Sequence, residues 1–225
     1  MSLLLTTCAV LLLVPTGRAD AGTAKRTQLV GTFMLKTGSC GRSNPSGTYF
    51  RMIAPNGNPV SGPFFENPDS PCRDKSITPM RRGRQGGLVT ERFQPDPTTA
   101  FTKTGSALAE DITRPVNFSG FGLSLATESP DPQLRRKVPV PAIFDRGRRL
   151  SGQVEAWSVA WNKFYLNEGS PKPGGSRPGL TSPVTGTYNA TTHAYTLAWR
   201  SLVVSGPFNG YTAYWHLAGK FTPGG

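Results

Sequence analysis

The chain has few of the residues that most catalytic and metal sites require. Its 225 residues include 3 cysteines, 2 histidines and 13 carboxylates. It contains no Gly-x-Ser-x-Gly nucleophile elbow, no His-Glu-x-x-His and no glycine-rich phosphate loop. No cysteine or histidine pair has the close spacing of a zinc site. The sequence therefore predicts no metal ion and no cofactor, and it offers no ready-made catalytic motif.

Long apolar runs are also scarce, and the one present lies at the start of the chain. Leu3–Val14 is apolar, and the small residues of Ala19-Asp20-Ala21 follow. Although no lysine or arginine precedes the run, this pattern predicts a signal peptide over residues 1–21 that is cleaved before Gly22. The run is too short for a permanent transmembrane helix. The alternative is a buried N-terminal strand or helix; a lipoprotein anchor at Cys8 is rejected because that cysteine comes too early.

Export would leave residues 22–225 as a single extracellular domain with no integral membrane segment. Its two remaining cysteines, Cys40 and Cys72, are expected to form one disulfide, because exported chains retain such bonds. The segment between them is rich in proline, glycine and asparagine, so a covalent link would hold a loop with little regular structure. The alternative is a pair of free thiols that bind metal.

Alternation of apolar and polar residues predicts an all-β fold. The predicted strands are Leu29–Lys36, Gly47–Ala54, Val116–Ala126 (bulged at its glycines), a long and bent Leu150–Leu166, Ala194–Val204 and Tyr211–Phe221. One short helix is predicted over Ser106–Ile112, with Ser106 as its cap. Two long loops rich in proline and glycine span 55–87 and 169–183. We expect a single antiparallel β-barrel, with a β-sandwich as the alternative.

Basic residues outnumber acidic ones, for a formal net charge of +12. Two arginine groups are candidate sites for a polyanion such as an anionic cell-envelope polymer: Arg81, Arg82 and Arg84, then Arg146, Arg148 and Arg149. The alternative is that a GC-rich genome produced the arginine bias. Aromatic residues are not interleaved with these groups, so nucleic acid is an unfavoured partner.

A small ligand is the other binding partner considered. The candidate contacts are Trp157, Trp161, Asn209 and His216, although tryptophans on strands are most often core residues and His216 could simply be a surface hydrogen-bonding group. A carboxylate group formed by Glu66, Asp69 and Asp74 is compatible with a glycosidase pair or a calcium site. Asp and Asn flanked by proline are also ordinary turn residues.

Several motifs resemble those of exported bacterial proteins. Gly47-Thr48-Tyr49-Phe50-Arg51-Met52, Gly206-Pro207-Phe208-Asn209-Gly210 and Trp215-His216-Leu217 resemble segments of an uncharacterised group of secreted proteins of actinobacterial type. That group commonly carries Glu after the His-Leu pair, where this chain has Ala218. The resemblance implies export and brings no known activity.

The sequence thus favours a secreted, non-enzymatic binding or envelope-associated protein. Its ligand would be an anionic polymer or a small molecule held by the loops and the open end of the sheet. The alternative is an extracellular hydrolase acting on glycans or esters through Glu66, Asp69 or Asp74. A third interpretation is an inhibitor that presents the loop between Cys40 and Cys72.

Overall fold

Short antiparallel strands make up most of the regular structure. The computed structural model describes residues 25–41, 44–173 and 181–224, so the predicted signal peptide lies outside the described residues. The strands are β1 (Thr27–Leu29), β2 (Gly31–Leu35), β3 (Tyr49–Asn58), β4 (Gly62–Phe64), β5 (Thr78–Pro79), β6 (Arg81–Arg82), β7 (Gly87–Val89), β8 (Thr113–Arg114), β9 (Val116–Phe118), β10 (Phe121–Thr127), β11 (Ala142–Arg146), β12 (Arg149–Gln153), β13 (Trp157–Trp161), β14 (Phe164–Asn167), β15 (Ser182–Tyr188), β16 (Ala194–Leu202) and β17 (Thr212–Pro223). In these ranges, the one helical segment is a 3-10 turn at Gly206–Phe208.

The main sheet is a curled, antiparallel half-barrel with the strand order β1-β11-β12-β15-β16-β17-β2-β7. β17 pairs with β16 along nine residues. Its other edge is shared by β2 and β3, with Phe221 opposite Phe33 and Trp215 opposite Phe50. β4 and β5 extend the sheet beyond β3. Only Val30 separates β1, at one end of this path, from β2, the next-to-last strand toward the other end, so one continuous segment of chain contributes to both sides of the curled sheet.

A second sheet, of order β14-β13-β10-β9, packs against the inner face of the main sheet. Trp157 of β13 meets Trp199 of β16 edge-on, with ring centroids 5.2 Å apart, and lies 5.7 Å from Trp215 of β17. All three rings are buried. The interior between the sheets is therefore filled by aromatic and aliphatic side chains, and the predicted all-β fold is confirmed.

The predicted helix over Ser106–Ile112 is wrong. The backbone of this segment forms hydrogen bonds with other parts of the chain and not with its own preceding turn. The Ala107 N–H donates to the Gly122 carbonyl and the Leu108 N–H to the Ala100 carbonyl, both at 2.9 Å. Tertiary pairing along the edge of the second sheet thus overrides a weak helical pattern of about two turns.

Two predicted long strands are each divided by a hairpin turn. Val116–Ala126 divides into β9 and β10 at Ser119-Gly120, where a bulge was predicted. Leu150–Leu166 divides into β12, β13 and β14, with a turn at Asn162-Lys163. Both turns have positive φ at their two central residues, 49° and 85° in the first and 46° and 64° in the second. This is the backbone geometry that reverses a chain most tightly between antiparallel strands.

The predicted disulfide between Cys40 and Cys72 is confirmed, with the two Cα atoms 5.2 Å apart. It joins the connection between β2 and β3 to the loop that follows β4. The Cys72 N–H donates to the Ser70 hydroxyl, which in turn donates to the Ile77 carbonyl. The bond therefore holds an irregular segment whose own hydrogen bonds are mostly local.

Candidate functional site

The outward face of the main sheet, defined as the surface opposite the aromatic core, carries the most distinctive set of side chains. Along β16, Tyr195, Leu197 and Trp199 point into the core and are buried. Thr196 and Ala198, which alternate with these residues, therefore point outward. The strand registers then arrange outward side chains of neighbouring strands in rows that cross the sheet.

The first row has a cation at each end and small residues between them. Arg149 of β12 lies opposite Thr187 of β15, which lies opposite Thr196 of β16, which lies opposite Ala218 of β17. The Lys36 N–H, just after β2, donates to the Ala218 carbonyl at 2.7 Å. Four strand spacings separate the two ends, or about 19 Å. The row thus forms a low floor bounded by positive charge.

Two connected grooves follow this floor. The larger has a volume of about 510 Å³ and is lined by Lys36, Arg82 and Lys220, with Ala194 and Ala218 at its base. The smaller, of about 320 Å³, shares Ala194 with the first and extends to Arg148. No Asp or Glu is among the lining residues of either groove. The side chains of Lys36, Arg82 and Lys220 form no ion pair within the described chain, so their charge is available to a ligand.

The structure places one predicted arginine group at a turn beside this floor. Gly147 and Arg148 are the central residues of the β11–β12 hairpin, with φ of 59° and 76°, and Arg146 lies opposite Arg149. Arg148 reaches the smaller groove, and Arg149 begins the first row. The second predicted group separates: Arg82 lines the larger groove, and Arg81 lies opposite Arg114 of β8.

Arg84, the third arginine of the group that includes Arg81 and Arg82, forms ion pairs with two carboxylates. Its guanidinium lies 2.7 Å from the Asp111 carboxylate and 3.7 Å from that of Glu110. Its charge is therefore shared with two acidic neighbours and adds little to the grooves.

An aromatic patch continues the outward face toward β3. His216 of β17 lies opposite Tyr49 of β3, and their rings stack with centroids 4.7 Å apart. The Tyr49 and Tyr214 rings are 6.5 Å apart. The next row places Tyr214 between Arg51 of β3 and Arg200 of β16. The patch is half-buried, and it borders the first row at Ala218.

The tautomer and charge of His216 follow from its surroundings. Nδ1 lies 3.0 Å from the Gly47 carbonyl oxygen, which can only accept, so Nδ1 carries the proton and Nε2 is an acceptor. Burial lowers the pKa of His216, although the backbone hydrogen bonds oppose this effect. The ring is therefore neutral at pH 7 and offers an acceptor beside two tyrosines.

The four predicted contacts for a small ligand do not converge. Trp157 and Trp161 lie in the core, and the Trp161 indole N–H donates to the Phe118 carbonyl. Trp161 also lines an apolar cavity of about 30 Å³, room for one or two water molecules. Asn209 follows Phe208, which lines the same cavity. His216 lies on the opposite face of the main sheet, so these residues cannot contact one small ligand together.

The three predicted carboxylates are engaged by separate partners. Asp69 accepts from the Gly120 N–H at 2.7 Å. Asp74 accepts from the Ser76 backbone and hydroxyl and forms an ion pair with Arg51 at 3.1 Å. Glu66 is exposed. These bonds stabilise the loop, as the turn interpretation expects. Within 25–41, 44–173 and 181–224, no group of three or more His, Cys, Asp or Glu could hold a metal ion.

A different carboxylate pair was missed from the sequence. The Asp96 N–H donates to the Glu128 carboxylate at 2.9 Å. Both carboxylate oxygens of Asp96 are buried and have no hydrogen-bond partner in the described parts of the chain. Burial, and then the charge of Glu128, raise the pKa of Asp96 to about 7. The pair is brought together by the bridge between Gln94 and Thr127, a contact that no local sequence pattern indicates.

No family model, curated protein or solved structure matches this chain. The resemblance to secreted actinobacterial-type proteins therefore stays a prediction, and the interpretation of the site depends on its own geometry. None of the helical structure in the described ranges has the length and apolar character needed to cross a bilayer.

Proposed function

We propose that the protein is an exported, non-enzymatic binding protein that holds an anionic polymer of the cell envelope against the outward face of its main sheet. The observation that carries this proposal is the larger groove, where Lys36, Arg82 and Lys220 face a common space and have no ion-pair partner among the described residues. The disulfide between Cys40 and Cys72 and the predicted signal peptide support the extracellular location.

Shape and charge both favour an extended ligand. The threonine and alanine side chains of the first row leave the centre of the face low, so a chain can lie across it. Arg149 at one end and Lys36 at the other then meet anionic groups about 19 Å apart. A formal net charge of +12 adds a long-range attraction that speeds encounter and weakens with added salt.

Retention on immobilised polygalacturonate and polyphosphate tests the proposal. The wild-type protein should bind and elute with sodium chloride. The double variant Lys36→Glu/Lys220→Glu should elute at much lower salt, because two attractive charges in the groove become repulsive.

The matched control is Lys103→Glu/Lys163→Glu, which changes the net charge equally. Lys163 is an exposed residue of the β13–β14 turn, and Lys103 lies in a neighbouring turn of the second sheet region. Equal loss of retention in both double variants would show that net charge alone drives binding. Retention that does not change with ionic strength would also contradict the proposal.

A hydrolase is the second candidate, and the Asp96–Glu128 pair favours it. Asp96, with its pKa raised to about 7, retains a proton near neutral pH and can act as a general acid. Glu128 would supply the carboxylate base. Tyr165, which is 37% exposed, flanks the pair and could contact a substrate.

A panel of glycan and ester substrates tests this second function. Any hydrolysis should be lost in Asp96→Asn, which keeps the shape of the side chain and removes its proton chemistry. Asp69→Asn is the control, because Asp69 is a loop carboxylate bound to a backbone N–H. Absence of hydrolysis, or hydrolysis unchanged in Asp96→Asn, removes the pair from consideration.

A further inference from the structure

We propose that the aromatic patch formed by Tyr49, Tyr214 and His216 makes the outward face selective for an acidic glycan among anionic polymers. This inference rests on the proposed function, since it names the class of polymer that the face binds. Its evidence is independent of the groove: it comes from side chains of β3, β16 and β17, several of whose polar atoms have no partner among the described residues.

The register places the patch between two guanidinium groups. Arg51, Tyr214 and Arg200 are direct cross-strand neighbours on one face. Directly opposite side chains on such a face have Cβ atoms about 5 Å apart, so both arginines flank the Tyr214 ring. In the adjacent row Ala198 follows His216, and its small side chain leaves open space beside the aromatic rings.

The patch has unused hydrogen-bonding capacity of both kinds. The hydroxyls of Tyr49 and Tyr214 and the Arg200 guanidinium form no hydrogen bond with any described residue. Nε of Arg51 is buried and Nη2 of the same residue contacts Asp74, so Arg200 is the guanidinium of this row that remains open to a ligand among the described residues. Nε2 of His216 is an acceptor with no partner in the ranges that the structure describes. Donors and acceptors therefore lie next to half-exposed ring faces.

This combination fits a sugar that carries a carboxylate. A guanidinium binds a carboxylate with two parallel hydrogen bonds. Tyrosine rings cover the apolar face of a sugar ring, and their hydroxyls bond to its polar edge. His216 and Asp74 accept from sugar hydroxyls. A polyphosphate or a nucleic acid backbone has no such donors, so the Asp74 and His216 acceptors would face it unpaired.

Calorimetric titration with three polymers tests the selectivity: polygalacturonate, polyphosphate and an oligothymidine single strand, all at one ionic strength. Tyr214→Ala should weaken polygalacturonate binding about fivefold, the effect of one aromatic contact. It should leave polyphosphate binding unchanged, because no charge is altered. Unchanged polyphosphate affinity also shows that the variant is folded.

Two further variants separate the ring from its hydroxyl and from general surface effects. Tyr214→Phe keeps the ring and should fall between the wild-type protein and Tyr214→Ala. Phe164→Ala removes an exposed aromatic side chain of the second sheet and should bind like the wild-type protein.

The outcomes distinguish the two proposals. If no polymer binds, the proposed function itself is wrong. If polygalacturonate and polyphosphate bind but Tyr214→Ala affects both equally or neither, the face binds anions and the selectivity is wrong. If oligothymidine binds most tightly and is the polymer lost in Tyr214→Ala, the aromatic patch stacks on bases, and the glycan inference is overturned.

Discussion

Glu168 provides the sharpest test of the buried electrostatics. It follows β14, is 2% exposed and lines the small cavity between the sheets. Burial raises its pKa from 4.5 to about 7, and the nearby Lys172 and Ser201 lower it only in part. The Ser201 hydroxyl lies beside the carboxyl without forming a hydrogen bond of normal geometry. The folded protein thus keeps a proton that the unfolded chain has already released.

The direction of the pH effect follows from this difference. Between pH 4.5 and about pH 7, the folded state binds more protons at Glu168 than the unfolded state does. The free energy of unfolding therefore falls as the pH rises through this window, and the contribution is constant on either side of it. The shift corresponds to about 3 kcal/mol, since each pKa unit is worth about 1.4 kcal/mol.

Urea unfolding of the wild-type protein and of Glu168→Gln at several pH values from 4 to 8 measures this contribution. Asp96 and His216 also have shifted pKa values, but both residues are present in each protein. The difference between the two curves therefore isolates Glu168. The wild-type protein should lose about 3 kcal/mol more than the variant across the window. Parallel curves would refute the reasoning, because they would mean that Glu168 titrates alike in both states.

Three further predictions concern stability, each measured by urea or thermal unfolding. Replacing Cys40 and Cys72 by serine should cost about 3 to 4 kcal/mol, because the unfolded chain regains the freedom of a long loop; no loss would mean that the loop is held without the bond. Phe33→Ala should cost about 3 to 5 kcal/mol, since the ring is fully buried. Gly31→Ala should cost more than about 1 kcal/mol, because φ is 146° and a Cβ would lie 2.2 Å from the Thr222 oxygen. A fully stable Gly31→Ala would contradict the described β2–β17 pairing.

Alternation along single strands predicted the core well. In β16 and β17, the inward positions Trp199, Trp215 and Leu217 are all buried. This result is accessible from the sequence because the two-residue period is a local property of the chain. The disulfide was equally accessible, because cleavage of the predicted signal leaves only two cysteines.

Chain reversals were harder to predict. Asn162-Lys163 forms a tight hairpin turn although neither residue is glycine, and both adopt positive φ. Asparagine tolerates that conformation, whereas lysine carries no such signal. Without a turn signal, the apolar residues on both sides of the turn therefore predict one long strand. Ser106–Ile112 shows the opposite error, a local pattern whose backbone groups found partners across the fold.

The candidate site could not be located from the sequence because rows across a sheet depend on register. Lys36 and Lys220 are far apart in the chain, yet the pairing of β2 with β17 places both beside one groove. The arginine runs stand out in the sequence because they are contiguous, but contiguity does not show whether a charge is paired. Arg84, for example, forms ion pairs with two carboxylates. Charge that can bind a ligand is therefore set by which strands pair and by which cations lack a partner. For that reason the test of the proposed function reverses isolated lysines in the groove and leaves the arginine runs intact.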